Sequence, residues 1–114
     1  MNDCIFCKIV SGEIPCNLVY QDDKIMAFKD INPLAPVHIL IISKQHIESA
    51  HVLNEGNSQI AAHIFEKIPN IAREASLAES GYRVITNIGK DAGQAVPHLH
   101  FHLLGGRKLE IGLG

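Results

Sequence analysis

At 114 residues and 12.5 kDa the chain has the size of a single domain, residues 1–114, built around one hydrophobic core. Its 46% hydrophobic and 19% charged residues suffice to fold a soluble globular unit, and no run approaches the roughly 18 apolar residues that a membrane span needs. Ten basic against twelve acidic side chains, a net charge of -2, create no positive field for nucleic acid or an anionic membrane, so an anionic ligand must be held by a local site.

The opening residues MNDCIF hold no basic segment followed by an apolar one, so the cytoplasm is the expected compartment. Cys4, Cys7 and Cys16 are too few, and odd in number, for a disulfide framework, so the thiols are expected to be reduced. Asp3 stands where a helix N-cap belongs, ahead of Ile5, Phe6, Ile9 and Val10 at helical spacing, with Ser11-Gly12 and Pro15 closing a short first helix. Leu18 to Tyr20 and Ile25 to Phe28 flank the turn-like Gln21-Asp22-Asp23-Lys24 and predict a hairpin. After Asn32-Pro33 and Ala35-Pro36, the nearly unbroken apolar run Val37 to Ile42 predicts a strand covered on both faces. From Ser58, the residues Ile60, Ile64, Phe65, Ile68, Ile71, Ala72 and Ala75 make one apolar stripe down a long helix, kinked at Pro69 and stopped at Gly81. Tyr82 to Thr86 and His98 to Leu104 are two more strands. The expected fold is α+β: a five-stranded, mostly antiparallel sheet with one long and one or two short helices.

Three of the seven histidines fall within five residues, His98-Leu99-His100-Phe101-His102. On a strand the imidazoles share one face, with Leu99, Phe101 and Leu103 filling the other. A solvated polar face is the plainest reading, although Lys, Thr or Glu would serve it equally well. A single metal ion is a second reading, yet the outer two histidines lie about 13 Å apart along a strand while Zn–N bonds are about 2.1 Å. The third is nucleophilic and acid–base chemistry at phosphorus by an imidazole whose other nitrogen is held protonated by a hydrogen bond. Upstream, Asn87, Gly89, Gly93 and Gln94 form a polar loop whose N–H groups can approach phosphate oxygens, which favours this reading. Within the row His100 is central and so the expected nucleophile, with a backbone carbonyl as the natural acceptor of its Nδ1 proton.

The run His98 to Leu104 resembles the His-x-His-x-His motif of the histidine triad (HIT) superfamily. Ile14-Pro15, Phe28-Lys29-Asp30-Ile31-Asn32-Pro33, Ala35-Pro36-Val37-His38, Gly81-Tyr82-Arg83, Ala92-Gly93-Gln94 and Leu104-Gly105-Gly106-Arg107 are similar to its nucleotide-binding branch. The resemblance implies a homodimer joining two five-stranded sheets through the long helix and an adjoining strand. It also implies a purine nucleoside phosphoramidase that hydrolyses the P–N bond of adenosine or guanosine 5'-phosphoramidates. By motif position, His100 is implied as nucleophile, His102 as phosphate ligand and aid to the leaving group, and His98 and His38 as supports. Asp30 is implied to bind the ribose hydroxyls beside Ile31, with Asn87, Gly93 and Gln94 on the phosphate side. Ala95 departs from the pattern, standing where many members carry a serine hydroxyl.

Cys4 and Cys7, three apart, share a face of the first helix. They read as small packing residues, as a redox pair lacking its usual preceding strand, or as half of a zinc site. Resemblance to family members with this Cys-x-x-Cys implies a structural Zn held by Cys4, Cys7, His46 and His98. A nucleotide-binding scaffold with little turnover and a zinc-organised interaction domain stand as alternative functions. His51 and His63 are read as surface or packing residues.

Overall fold

Alternation of side chains along the strands sorts the apolar residues onto two faces of one sheet, and each face is covered by a helix. The computed structural model describes residues 3–112, so the first two and last two residues of the expected span 1–114 lie outside it. In chain order the elements are α1 (Ile5–Ser11), β1 (Leu18–Gln21), β2 (Ile25–Lys29), β3 (Val37–Ser43), α2 (Gln59–Glu74), β4 (Tyr82–Ile85) and β5 (His100–Gly105). Single 3-10 turns lie at Ala50–Val52 and Lys90–Ala92. The strand order is β1-β2-β3-β5-β4, and every neighbouring pair is antiparallel. No helix among the described residues is long and apolar enough to cross a membrane.

Under α2 lie Ile25 and Ala27 of β2, Ile39 and Ile41 of β3, and Leu99, Phe101 and Leu103, packed against Ile64, Ile68, Ile71 and Ala72 of the helix. On the opposite face Phe6 and Ile9 of α1 pack on Met26, Phe28, Leu40 and Ile42. The register sets Leu40 beside His102 and Ile42 beside His100, so these two histidines fall on the α1 face. β3 is buried along nearly its whole length, which is why its apolar run shows no alternation.

Each helix has one end that differs from the sequence expectation. Cys4, not Asp3, caps α1: its backbone is extended and its Sγ accepts from the Cys7 N–H at 3.4 Å. α2 runs unbroken through Pro69 and ends at Glu74 rather than reaching Gly81. Ser76 takes the left-handed conformation, φ 63°, that usually falls to glycine. The Leu77 N–H reaches back to the Ala72 carbonyl at 2.8 Å and the Ser76 N–H to that of Arg73 at 3.1 Å, a Schellman closure completed by buried Leu77. Gly81, at φ 101°, instead turns the chain into β4.

A further tie joins α2 to the β1–β2 turn. His63, expected only as a surface or packing residue, lies 2.7 Å through Nε2 from Asp22 Oδ2, which also accepts from the Tyr20 hydroxyl at 2.7 Å. Burial by itself pushes the pKa of Asp22 up. The hydrogen bonds from Tyr20, His63 and the Lys24 and Ile25 amides outweigh it and hold the carboxyl well below the usual range.

Candidate active site

The hydrophobic load carried by β5 decides where its imidazoles go. With Leu99, Phe101 and Leu103 under α2, His100 and His102 project to the α1 face, where Phe6 meets the His100 ring edge-on at a centroid distance of 5.1 Å. His38, on β3 opposite Leu104, comes within reach of His102 as a diagonal neighbour.

His100 is 6% exposed, and its Nδ1–H donates to the His98 carbonyl at 2.6 Å. That bond leaves Nε2 with its lone pair, the arrangement a nitrogen nucleophile requires. His102 Nδ1 lies 2.9 Å from His38 Nε2, and Asp30 Oδ2 is 3.4 Å from the same His38 nitrogen. Burial, then the neighbouring His100 and His38, lower the pKa of His102 to about 4 against the opposing pull of Asp30. Burial likewise pushes His38 below the ordinary value, with Asp30 opposing. Both imidazoles are therefore neutral near pH 7.

His98 departs from the expected row. The ladder begins at His100, and the His98 N–H closes a tight turn onto the Val96 carbonyl at 2.8 Å. Its fully buried ring keeps to the α1 face, where Phe6 meets it edge-on at a centroid distance of 5.8 Å, and it joins a group formed by Cys4, Cys7 and His46. Within this group Cys4 Sγ and His46 Nδ1 are each 3.2 Å from His98 Nδ1, Cys7 Sγ is 3.5 Å from it, and Cys7 Sγ is 3.2 Å from His46 Nδ1. All four donor atoms lie within 4.8 Å of one another. Tetrahedral coordination at about 2.1–2.3 Å sets donors about 3.4–3.8 Å apart, so small displacements would let the four hold a metal ion. His98 Nε2–H donates to the Ser43 carbonyl at 2.6 Å, which turns the lone pair of Nδ1 toward the thiols.

The remaining expected residues are divided. Ile31 is 85% exposed beside Asp30, and Asn87 is half-buried after β4. The Gly93 and Gln94 N–H groups are not turned toward a ligand, because they close the loop on the Lys90 and Gly89 carbonyls at 3.0 and 3.1 Å. The Gln94 side chain braces the same loop, accepting from the Gly89 N–H and donating to the Glu48 and Val96 carbonyls. Ala95 is exposed and lines a cavity of about 460 Å3 with Cys4, His46 and Pro97, next to the thiol cluster. Another cavity, of about 410 Å3, touches Asp30 and His38, but its other walls include Lys29, Val37, Ile39 and Glu74, and neither His100 nor His102 lines it. Sequence reasoning missed Phe6 and the Ser43 carbonyl, both of which act through long-range packing with no local signature.

Comparison with known proteins agrees with this geometry. The HIT domain profile matches residues 11–109, and the chain belongs to the HIT family. It is similar to a HIT family hydrolase from Clostridium thermocellum, with a TM-score of 0.95 and 47% identity over 99% of this chain and 98% of the other. A histidine triad protein from Clostridium difficile superimposes with a TM-score of 0.94 at 47% identity, covering 98% of this chain and 97% of that one. The purine nucleoside phosphoramidase of Escherichia coli K12 is 44% identical over 107 residues, 94% of this chain and 90% of that protein.

The lowered pKa of His102 fixes the sign of a pH effect. Stability due to its neutral form is complete above its ordinary value of 6.5 and is lost as the pH falls toward about 4, because there the unfolded chain binds a proton that the folded one refuses. Urea unfolding between pH 7 and pH 4 should show the wild type losing about 1–3 kcal/mol more than His102→Gln. Parallel losses in the two proteins would overturn the assignment.

Proposed function

We propose that this chain is a purine nucleoside phosphoramidase that cleaves the P–N bond of adenosine or guanosine 5'-phosphoramidates through a covalent nucleotidyl-histidine on His100. The observation that carries the reading is the 2.6 Å bond from His100 Nδ1–H to the His98 carbonyl, which in the neutral ring places the lone pair on Nε2. The 44% identity to the E. coli phosphoramidase supports the choice of substrate.

In this reading His100 Nε2 attacks phosphorus, and the P–N electron pair leaves with the amine nitrogen, which takes up a proton. Water then attacks phosphorus, the N–P bond pair returns to Nε2, and the water's proton passes to solvent. His102 donates a hydrogen bond to a phosphoryl oxygen, a neutral donor aimed where charge develops. Asp30 accepts from the ribose hydroxyls with the lone pairs left over from Asn32 N–H and His38, since a carboxylate offers about four acceptor sites. Ile31 covers the nucleoside, while Asn87 and the loop of Gly93, Gln94 and Ala95 border the phosphate side.

The cluster of Cys4, Cys7, His46 and His98 suits structural Zn, which would fasten the start of α1 to the turn before β5. A homodimer is part of the same reading. β4 is an edge of the sheet, and Phe65 of α2 is 54% exposed while meeting Phe101 edge-on at 5.5 Å.

His100→Asn should abolish release of AMP from adenosine 5'-phosphoramidate while AMP binding changes less than about tenfold, or 1.4 kcal/mol. Rapid quenching of the wild type should trap the nucleotidyl adduct on the peptide containing His100. An adduct elsewhere overturns the assignment, and AMP binding without turnover in the wild type favours a scaffold. Protein purified without chelators or a polyhistidine tag should carry about one zinc per chain, lost in Cys4→Ser; metal-free native protein would refute the site. Light scattering at micromolar concentration should give twice the 12.5 kDa chain mass, and a monomer alone would exclude the dimer.

A further inference from the structure

The connection between β2 and β3 contains a contact whose direction can be read without assigning a hydrogen. The Leu34 backbone N–H, which can only donate, points at His38 Nδ1 at 3.1 Å. His38 Nδ1 must therefore present its lone pair, and in the neutral ring the proton must sit on Nε2. Nε2 is the atom 2.9 Å from His102 Nδ1 and 3.4 Å from Asp30 Oδ2. It donates into that gap, so His102 Nδ1 is in turn an acceptor and the proton of His102 is on Nε2. One amide thus sets the polarity of two imidazoles.

We propose that Leu34, through its backbone N–H, is a positioning residue that fixes the His38–His102 pair so that His102 presents Nε2–H, and only Nε2–H, as a hydrogen-bond donor. The proposal deepens the reading of the site as a phosphoramidase and rests on it for the identity of the acceptor, a phosphoryl oxygen. The turn is built to hold this amide in place. Asp30 N–H donates to the His38 carbonyl at 3.0 Å, Asp30 Oδ1 accepts from the Asn32 N–H at 2.8 Å, and Pro33 and Pro36 restrict the backbone on either side of Leu34. The Leu34 side chain is 73% exposed, so its contribution to the core is small and the amide is the part of the residue that matters.

The same logic decides between two uses of the group Asp30, His38 and His102, whose donor atoms come within 4.8 Å of one another and by proximity alone could surround a cation. A metal would need a lone pair on His38 Nε2. The Leu34 amide already occupies the lone pair at Nδ1 and leaves Nε2 carrying hydrogen. The group is therefore a directional chain of hydrogen bonds, Leu34 N–H to His38 to His102, with Asp30 Oδ2 as a second, longer acceptor beside it.

Nitrogen-15 long-range correlation spectra of the imidazoles in the wild-type protein at pH 7 test this directly. Both His38 and His102 should be neutral with the proton on Nε2; an Nδ1–H form of either ring overturns the proposal. This readout is independent of turnover, so the tautomers can hold even where the phosphoramidase reading fails. Leu34→Pro removes the amide hydrogen and Leu34→Ala keeps it. The proline variant should show a mixed His38 tautomer and a kcat lowered about tenfold with KM nearly unchanged, in the range found when partners that fix a histidine tautomer are lost. Leu34→Ala should match the wild type in both readouts. Wild-type tautomers and kcat in Leu34→Pro, or an equal loss in Leu34→Ala, would refute the role of the amide.

Discussion

The pairing of β3 with β5 is the constraint from which the site follows. Ile39 beside Leu103 and Ile41 beside Phe101 face α2, and the period of two then places Leu40 with His102 and Ile42 with His100 on the other side. A slip of one residue would drive two imidazoles beneath α2 and turn Leu and Phe outward, at a cost of about 1–3 kcal/mol for each buried polar group left unpaired. The apolar residues of β5 thus position its imidazoles. His38 gains its contact with His102 from the same register.

Electrostatics on this face follow from crowding. The His38 and His102 rings lie 5.2 Å apart between centroids, as do those of His100 and His102, and Asp30 is the nearby carboxylate. Burial keeps His38 and His102 neutral, reinforced at His102 by the neighbouring imidazoles, so they act as oriented dipoles rather than as cations. Orientation then matters more than charge, and it is set by backbone groups: the His98 carbonyl for His100 and the Leu34 amide for His38.

That dependence on the main chain explains what could be read from sequence. Strands and the long helix were legible because alternation in Leu99-Phe101-Leu103 and the stripe through Ile64, Ile68 and Ile71 are local patterns with one period each. The end of α2 was not, since Ser76 adopts a conformation normally reserved for glycine and the closing contact is buried Leu77. Nor was the departure of His98 from the strand, because the alternation of polar and apolar residues continues through it while the backbone has already turned toward Val96. The positions of His100, His102, His38 and Asp30 follow the motif, whereas the Gly93 and Gln94 amides are engaged within their own loop, a use that the presence of glycine does not distinguish from ligand binding.

His98 meets two demands with different parts of one residue. Its ring belongs to the thiol cluster, but what reaches His100 is its peptide oxygen, and every amino acid has one. A lineage could therefore exchange the ring, together with Cys4, Cys7 and His46, for ordinary packing residues and keep the carbonyl that orients His100, provided the turn at Val96 held its shape. In the proposed mechanism substitutions at 100 and 102 have no such freedom, because there the side chain itself is what the site uses. Positions 4, 7, 46 and 98 form a unit of inheritance separable from the His100 and His102 pair, even though residue 98 stands two places from His100.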